Sequence, residues 1–225
     1  MKKSTLLASI ALFSTPIVSR AAVVTWQSKP YTVNGNFGQF IDTGVIDKTG
    51  VLTYAENAGG SALTFDGIPF GSASIPFAGG SWFAGFFDPV SPLAATGAWG
   101  GNGSVGTVTF GTGSLPALTL GQAYRIQLII FDGRGDQAGR SIKVDNLNMG
   151  QYANGVSGVT WGPGLLVTGT FTADTATQGF TLETISGGTP AGPHLNGLIL
   201  QAVPEPSSAF IGGLCVIGLL NRRRR

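Results

Sequence analysis

The fifteen residues Leu118–Asp132 (LTLGQAYRIQLIIFD) set the strongest constraint on how this chain can fold. From Tyr124 onward they alternate. Tyr124, Ile126, Leu128 and Ile130 share one face of an extended strand, and Arg125, Gln127, Ile129 and Phe131 share the other, because successive side chains of a strand point to opposite faces. A helix would scatter the same residues around its circumference. The first face is apolar throughout and requires a core. Ile129 and Phe131 predict partial burial on the second face as well.

The same alternation recurs along the chain in short pieces. Val23–Trp26 opens as a strand and Val51–Glu56 follows; Ala62–Phe65 and Ile68–Phe70 flank Asp66-Gly67. Asp-Gly between two apolar runs predicts a two-residue hairpin turn. Ser81–Phe87 (SWFAGFF) reads as a strand or a buried loop, and residues 88–104 as a Gly/Pro-rich loop that holds Trp99. Val105–Phe110 sets Val105, Thr107 and Thr109 against Gly106, Val108 and Phe110. Ser141–Val144 is a further strand. Leu165–Ala173 and Phe180–Ile185 read as an alternating pair joined by a polar turn, and His194–Gln201 as the closing strand. Glycine contributes 36 of 225 residues, which would suit disorder, but 43% of the chain is apolar and falls in strand patterns, so a packed fold is expected. About ten short strands without helical spacers predict an all-β fold, an antiparallel β-sandwich. The pieces Val51–Phe70, Leu118–Asp132 followed by Arg140, Leu165–Leu182 and Leu195–Leu200 resemble a jelly roll of the galactose-binding-like type. The resemblance implies a jelly-roll-like body.

Both ends of the chain read as address segments. Lys2 and Lys3, the apolar run Leu6–Phe13, Pro16 and Ser19-Arg20-Ala21 have the order of a signal peptide, with the expected cut between Ala21 and Ala22. At the other end, Val203-Pro204-Glu205-Pro206 leads into an uncharged run from Ala209 to Leu220 and then Arg222, Arg223, Arg224 and Arg225. The two prolines keep the strap extended and outside any sheet or helix. The apolar run would make a helix of roughly 20 Å, short of a hydrocarbon core of about 30 Å. The four arginines stop transfer and stay cytoplasmic, and their stems can stretch a short span by snorkelling. The expected organisation is therefore a signal peptide at 1–21, one β-sandwich domain at 22–202 and a sorting segment with a short transmembrane helix at 203–225.

That final segment resembles the PEP-CTERM sorting signal of Gram-negative bacteria, with all three of its parts present in residues 203–225. The resemblance implies processing near Pro204-Glu205-Pro206 by an exosortase, a membrane-embedded cysteine protease-transpeptidase, in a bacterium that makes exopolysaccharide. This protein would be the substrate in that scheme. Cys215 lies within the apolar run and reads as a small hydrophobe.

Seven of the thirteen basic residues and one of the eleven acidic ones lie in the two end segments, leaving residues 22–202 with a formal charge near −4. The body therefore offers no basic patch for nucleic acid. It holds no cysteine and must rely on its hydrophobic core.

Catalytic chemistry has little to work with. His194 is the only histidine, so any Ser-His-Asp triad must use it and a zinc site lacks partners. It follows Gly192-Pro193 at a strand start and reads as structural or solvent-facing. A glycoside hydrolase needs paired carboxylates, and the body has two glutamates, Glu56 and Glu183, with most of its eight aspartates in turns. Asp132 and Asp136 share one loop and could bind a structural calcium ion. That loop also carries Arg134 and Arg140 and lacks calcium-loop spacing, so a self-compensating turn is the alternative. Trp82, Phe83, Phe86, Phe87 and Trp99 could stack on sugar rings or fill the core; Trp82 and Trp99 are the glycan-contact candidates. The expectation is a non-enzymatic exported protein with a structural or adhesive role beside exopolysaccharide. A specific carbohydrate-binding module is the second reading and a secreted glycan hydrolase the third. Expected partners are signal peptidase, exosortase, the membrane before processing, and exopolysaccharide.

Overall fold

The computed structural model describes residues 22–33, 45–75, 77, 81–83, 93, 96–101, 103–132, 139–153, 162–186 and 189–204, with 32–33, 81–83, 162–163 and 189–190 described by backbone alone. The predicted signal peptide with Ala21, the loop residues Arg134 and Asp136, and everything from Glu205 to Arg225 lie outside these residues.

The described chain is all-β. Its strands are β1 (Thr25–Val33), β2 (Val51–Asn57), β3 (Leu63–Phe65), β4 (Ile68–Phe70), β5 (Ser81–Phe83), β6 (Thr96–Trp99), β7 (Gly106–Phe110), β8 (Ala123–Ile130), β9 (Ser141–Val144), β10 (Leu147–Gln151), β11 (Gly162–Thr172), β12 (Gln178–Ser186), β13 (Thr189–Pro190), β14 (His194–Leu195) and β15 (Gly197–Ala202). One antiparallel sheet has the order β1-β11-β8-β15-β2. A second runs β10-β9-β12-β13, with β7 also paired to β12. A three-stranded sheet β14-β6-β5 and the hairpin β3-β4 complete the fold.

The central strand is β8, as its alternation demands. Tyr124, Ile126, Leu128 and Ile130 enter one core with Phe110, Ile142, Val144, Phe180 and Leu182 of the second sheet, so the two sheets pack face to face. The reverse face of β8 is more deeply covered than expected. Ile129 and Phe131 join a second apolar cluster with Val45, Ile46, Ile68, Phe70, Leu93 and Ile199, so the 45–50 segment and the β3-β4 hairpin form a third layer. Gln127, fully buried, anchors that layer. Its side chain accepts from the Asp47 amide at 2.8 Å and donates to the Asp47 carbonyl at 2.8 Å. Arg125 reaches the Asp47 carboxylate at 2.8 Å. Burial alone would raise the Asp47 carboxyl, but hydrogen bonds from Thr49 and the Arg125 guanidinium outweigh it and hold it below the usual carboxylate value.

Turn chemistry agrees with local sequence. Asp66-Gly67 turns the β3-β4 hairpin with φ of 50° and 76°, the positive pair that matches strand twist. Asp145-Asn146 does the same between β9 and β10, at 47° and 66°. Glycine is required where aromatic rings cross β11. Trp26 lies opposite Gly169 and Tyr31 opposite Gly164. A Cβ would stand 2.5 Å from the Trp26 ring at Gly169 and 2.2 Å from the Tyr31 ring at Gly164. The sheets are also tied at their edges: Trp26 Nε1 donates to Asp145 Oδ2 at 2.9 Å, and Ser28 Oγ to the Met149 carbonyl at 2.5 Å.

Two expectations need correction. Leu165–Ala173 and Phe180–Ile185 do not pair with each other. β11 lies between β1 and β8, whereas β12 pairs with β7, β9 and β13 in the other sheet, so the polar turn between them is a corner of the sandwich. Trp99 is not in a loop: it ends strand β6, paired with His194 of β14.

Candidate functional site

The polar residues singled out in the sequence converge at one end of the sandwich. Asp132, fully buried, meets Arg140 across the base of its loop, with Oδ2 and Nη1 3.4 Å apart. A parallel bridge joins Asp132 to Ala153, and the Tyr152 amide donates to the Arg140 carbonyl at 3.0 Å. Tyr152 is buried, shares a hydrogen bond of 3.0 Å with Thr184, and stacks on His194 with ring centroids 5.4 Å apart. Burial pushes the Tyr152 hydroxyl far above its ordinary range, keeping it neutral. His194 is 2% exposed, and its Nε2–H donates to the Phe131 carbonyl at 2.8 Å. That bond assigns the Nε2–H tautomer and commits Nε2 to the backbone. The cluster therefore behaves as a polar clamp closing the end of β8. Asp132, the described half of the calcium candidate, faces a guanidinium. Among the described residues no group of three or more His, Cys, Asp or Glu could hold a metal ion.

The two candidate hydrolytic carboxylates are in different sheets. Glu183 of β12 lies opposite Lys143 of β9, 3.5 Å away. Glu56 of β2 is fully buried and accepts from the Ser74 amide at 2.5 Å, the Ile75 amide at 2.8 Å, the Ser74 hydroxyl at 2.6 Å and the Tyr54 hydroxyl. It fastens the segment after β4 to the sandwich. Burial, then the bond to Glu56, pushes the Tyr54 hydroxyl up to about 12.

The glycan-contact candidates sit together in the small sheet. Trp99 is half-buried on β6, and Trp82 of β5 pairs with Gly97, two positions along from Trp99. Neither lines the feature that best suits a ligand. That feature is an open groove of about 220 Å³ along β7, which pairs only with β12 among the described residues. Ile75, Val108 and Leu115 supply apolar surface, and Ser74, Thr107, Thr109, Thr112 and Ser114 supply hydroxyls. A neutral groove of this kind matches the mixed apolar and hydroxyl character of a sugar ring better than that of a charged ligand. Sequence reasoning missed it because its walls come from three segments, none of which carries a motif; the alternating Thr107 and Thr109 were the one visible sign.

No family model matches the chain, and no curated protein matches it. Among solved structures the extracellular domain of ANXUR2 from Arabidopsis thaliana is similar, with a TM-score of 0.38 and 14% identity. The match covers 69% of this chain and 49% of that one, so the chain spans about half of that domain's length. A likeness of this size carries no argument about function.

Proposed function

We propose that the protein is an exported, exosortase-processed β-sandwich with a structural or adhesive, non-enzymatic role beside exopolysaccharide at the cell surface or in the matrix. The observation that carries this reading is the junction between body and strap. β15 is buried between β8 and β2. Val203 is still held, its amide donating to the Ala123 carbonyl at 2.8 Å and its carbonyl accepting from Gln122 at 2.9 Å. Pro204 is the first exposed residue beyond. The fold thus closes directly against Pro204-Glu205-Pro206, as a processing strap outside the domain requires. The non-enzymatic part is supported by the engagement of Glu56, Asp132 and His194 in holding the fold. Replacing Pro204, Glu205 and Pro206 by alanine is expected to leave the chain uncut and membrane-bound, seen as a larger species in the membrane fraction on immunoblots. Normal processing of that variant would overturn the reading.

The β7 groove favours a second reading, a specific carbohydrate-binding module. Purified processed protein would be titrated against a polysaccharide panel that includes the host's own exopolymer, with and without calcium. Saturable binding weakened about tenfold or more by Thr109→Arg would assign the groove, since a long cation would fill it and desolvate poorly. Loss on Trp99→Ala instead would assign the small sheet. No binding to any glycan would leave the structural role.

A further inference from the structure

Both ends of the described body leave from one end of the five-stranded sheet. The register aligns Thr25, Thr170, Arg125, Gln201 and Leu52 in one row, and Phe171, Tyr124, Ala202 and Val51 in the next. Residues 22–24 run into β1 beside these rows, and Val203 and Pro204 run out of β15 beyond them. The turn at 119–122 closes the same end, with the Gly121 amide donating to the Ala173 carbonyl at 2.7 Å. Six large hydrophobic side chains are exposed among the described residues, and four of them are here: Val23 at 88%, Val51 at 65%, Leu120 at 65% and Leu52 at 38%. Single exposed apolar residues are ordinary on any surface, but their concentration at one pole is not. The charges nearby are largely compensated, by Arg125 with Asp47 at 2.8 Å and Lys48 with Asp66 at 2.6 Å.

We propose that this pole is a seat for the lipid bilayer surface. The occupant follows from chain length. Only four residues, 205–208, separate Pro204 from the apolar run that begins at Ala209. Fully extended, that connection spans at most about 18 Å. The inference rests on the reading above that residues 209–220 lie in the membrane before processing. While they do, the strap holds this pole within about 18 Å of the interface, and no other pole of the domain is so tethered. Apolar side chains at an interface bind in proportion to the area they bury among headgroups and upper acyl chains. Val23, Val51 and Leu120 would immerse there, standing the sandwich upright. The seat would also hold Pro204-Glu205-Pro206 at headgroup level, where a membrane-embedded protease can reach it.

The test uses the full chain with Cys215→Ser, carrying a single bimane label at Leu120→Cys, Val23→Cys or Ser61→Cys. Ser61 is exposed beyond Asn57, at the opposite end of β2 from Val51. The chain is reconstituted into phosphatidylcholine–phosphatidylglycerol vesicles with and without a headgroup-region nitroxide lipid, and flotation is measured in parallel. Labels at 120 and 23 are expected to be quenched about threefold or more over the label at 61, as immersion at the interface requires. Equal quenching at all three positions in a chain that floats would overturn the seat while leaving the tail reading intact. A chain that does not float would overturn both.

Discussion

Glu56→Ala should destabilise the protein by about 3–4 kcal/mol, because it strips the acceptor from a buried set of donors. The carboxylate takes four hydrogen bonds, from the amides of Ser74 and Ile75 and the hydroxyls of Ser74 and Tyr54. The Ile75 amide is buried and would have nothing else to meet; Ser74, being exposed, can recover water. Gly71 is stitched to β2 independently, its amide donating to the Ala55 carbonyl at 2.8 Å. The substitution should therefore loosen residues 72–77 before it unfolds the domain, and the β7 groove would lose its Ser74–Ile75 wall. Urea denaturation with amide exchange across 71–77 gives the measurement. Tyr54→Phe removes one donor and should cost only about 1 kcal/mol. If Glu56→Ala proved no worse than Tyr54→Phe, the carboxylate would not be what holds this segment.

Phe180→Ala should cost about 3–5 kcal/mol, the range for emptying a large aromatic site in a core that cannot collapse. Phe180 is 2% exposed on β12. Its ring meets Trp26 of the first sheet edge-on at 5.4 Å and Phe110 of its own sheet at 6.3 Å. It therefore bridges the two sheets, and the Trp26 contact adds about 0.5–1.5 kcal/mol beyond burial. Phe180→Leu keeps most of the volume and should cost less than about 1.5 kcal/mol. Thermal unfolding of the two variants, with near-ultraviolet dichroism reporting the aromatic packing, separates the cases. Equal losses from Leu and Ala would mean that this site does not couple the sheets.

What was legible in the sequence is what depends on near neighbours. The alternation of Tyr124–Phe131 placed β8 at the centre, and the faces of 105–110 emerged as read, with Gly106, Val108 and Phe110 buried. Asp66-Gly67 turned where its chemistry demands. Asp145-Asn146 carried an equivalent signal between Val144 and Leu147, and reading it would have revealed β10. Lys29-Pro30 read as the end of a strand, yet β1 continues to Val33. It can do so because β1 is an edge strand, where proline's missing amide need not break a ladder.

The sequence alone determined strand character, turn positions, the charge of the body and the order of the two address segments, because each of these is written within a few residues. Which sheet a strand joins was decided only in the tertiary structure. β11 and β12 alternate alike and are separated by a short polar turn, and yet they belong to opposing sheets. An alternating strand specifies that one face must be buried but not which partner supplies its hydrogen bonds. The fates of His194, Glu56 and Asp132 were decided in the same way. Their partners lie 63 residues away at Phe131, 18 and 19 away at Ser74 and Ile75, and 8 away at Arg140. A side chain's chemistry is local, whereas the groups that satisfy it arrive from wherever the packed core brings them.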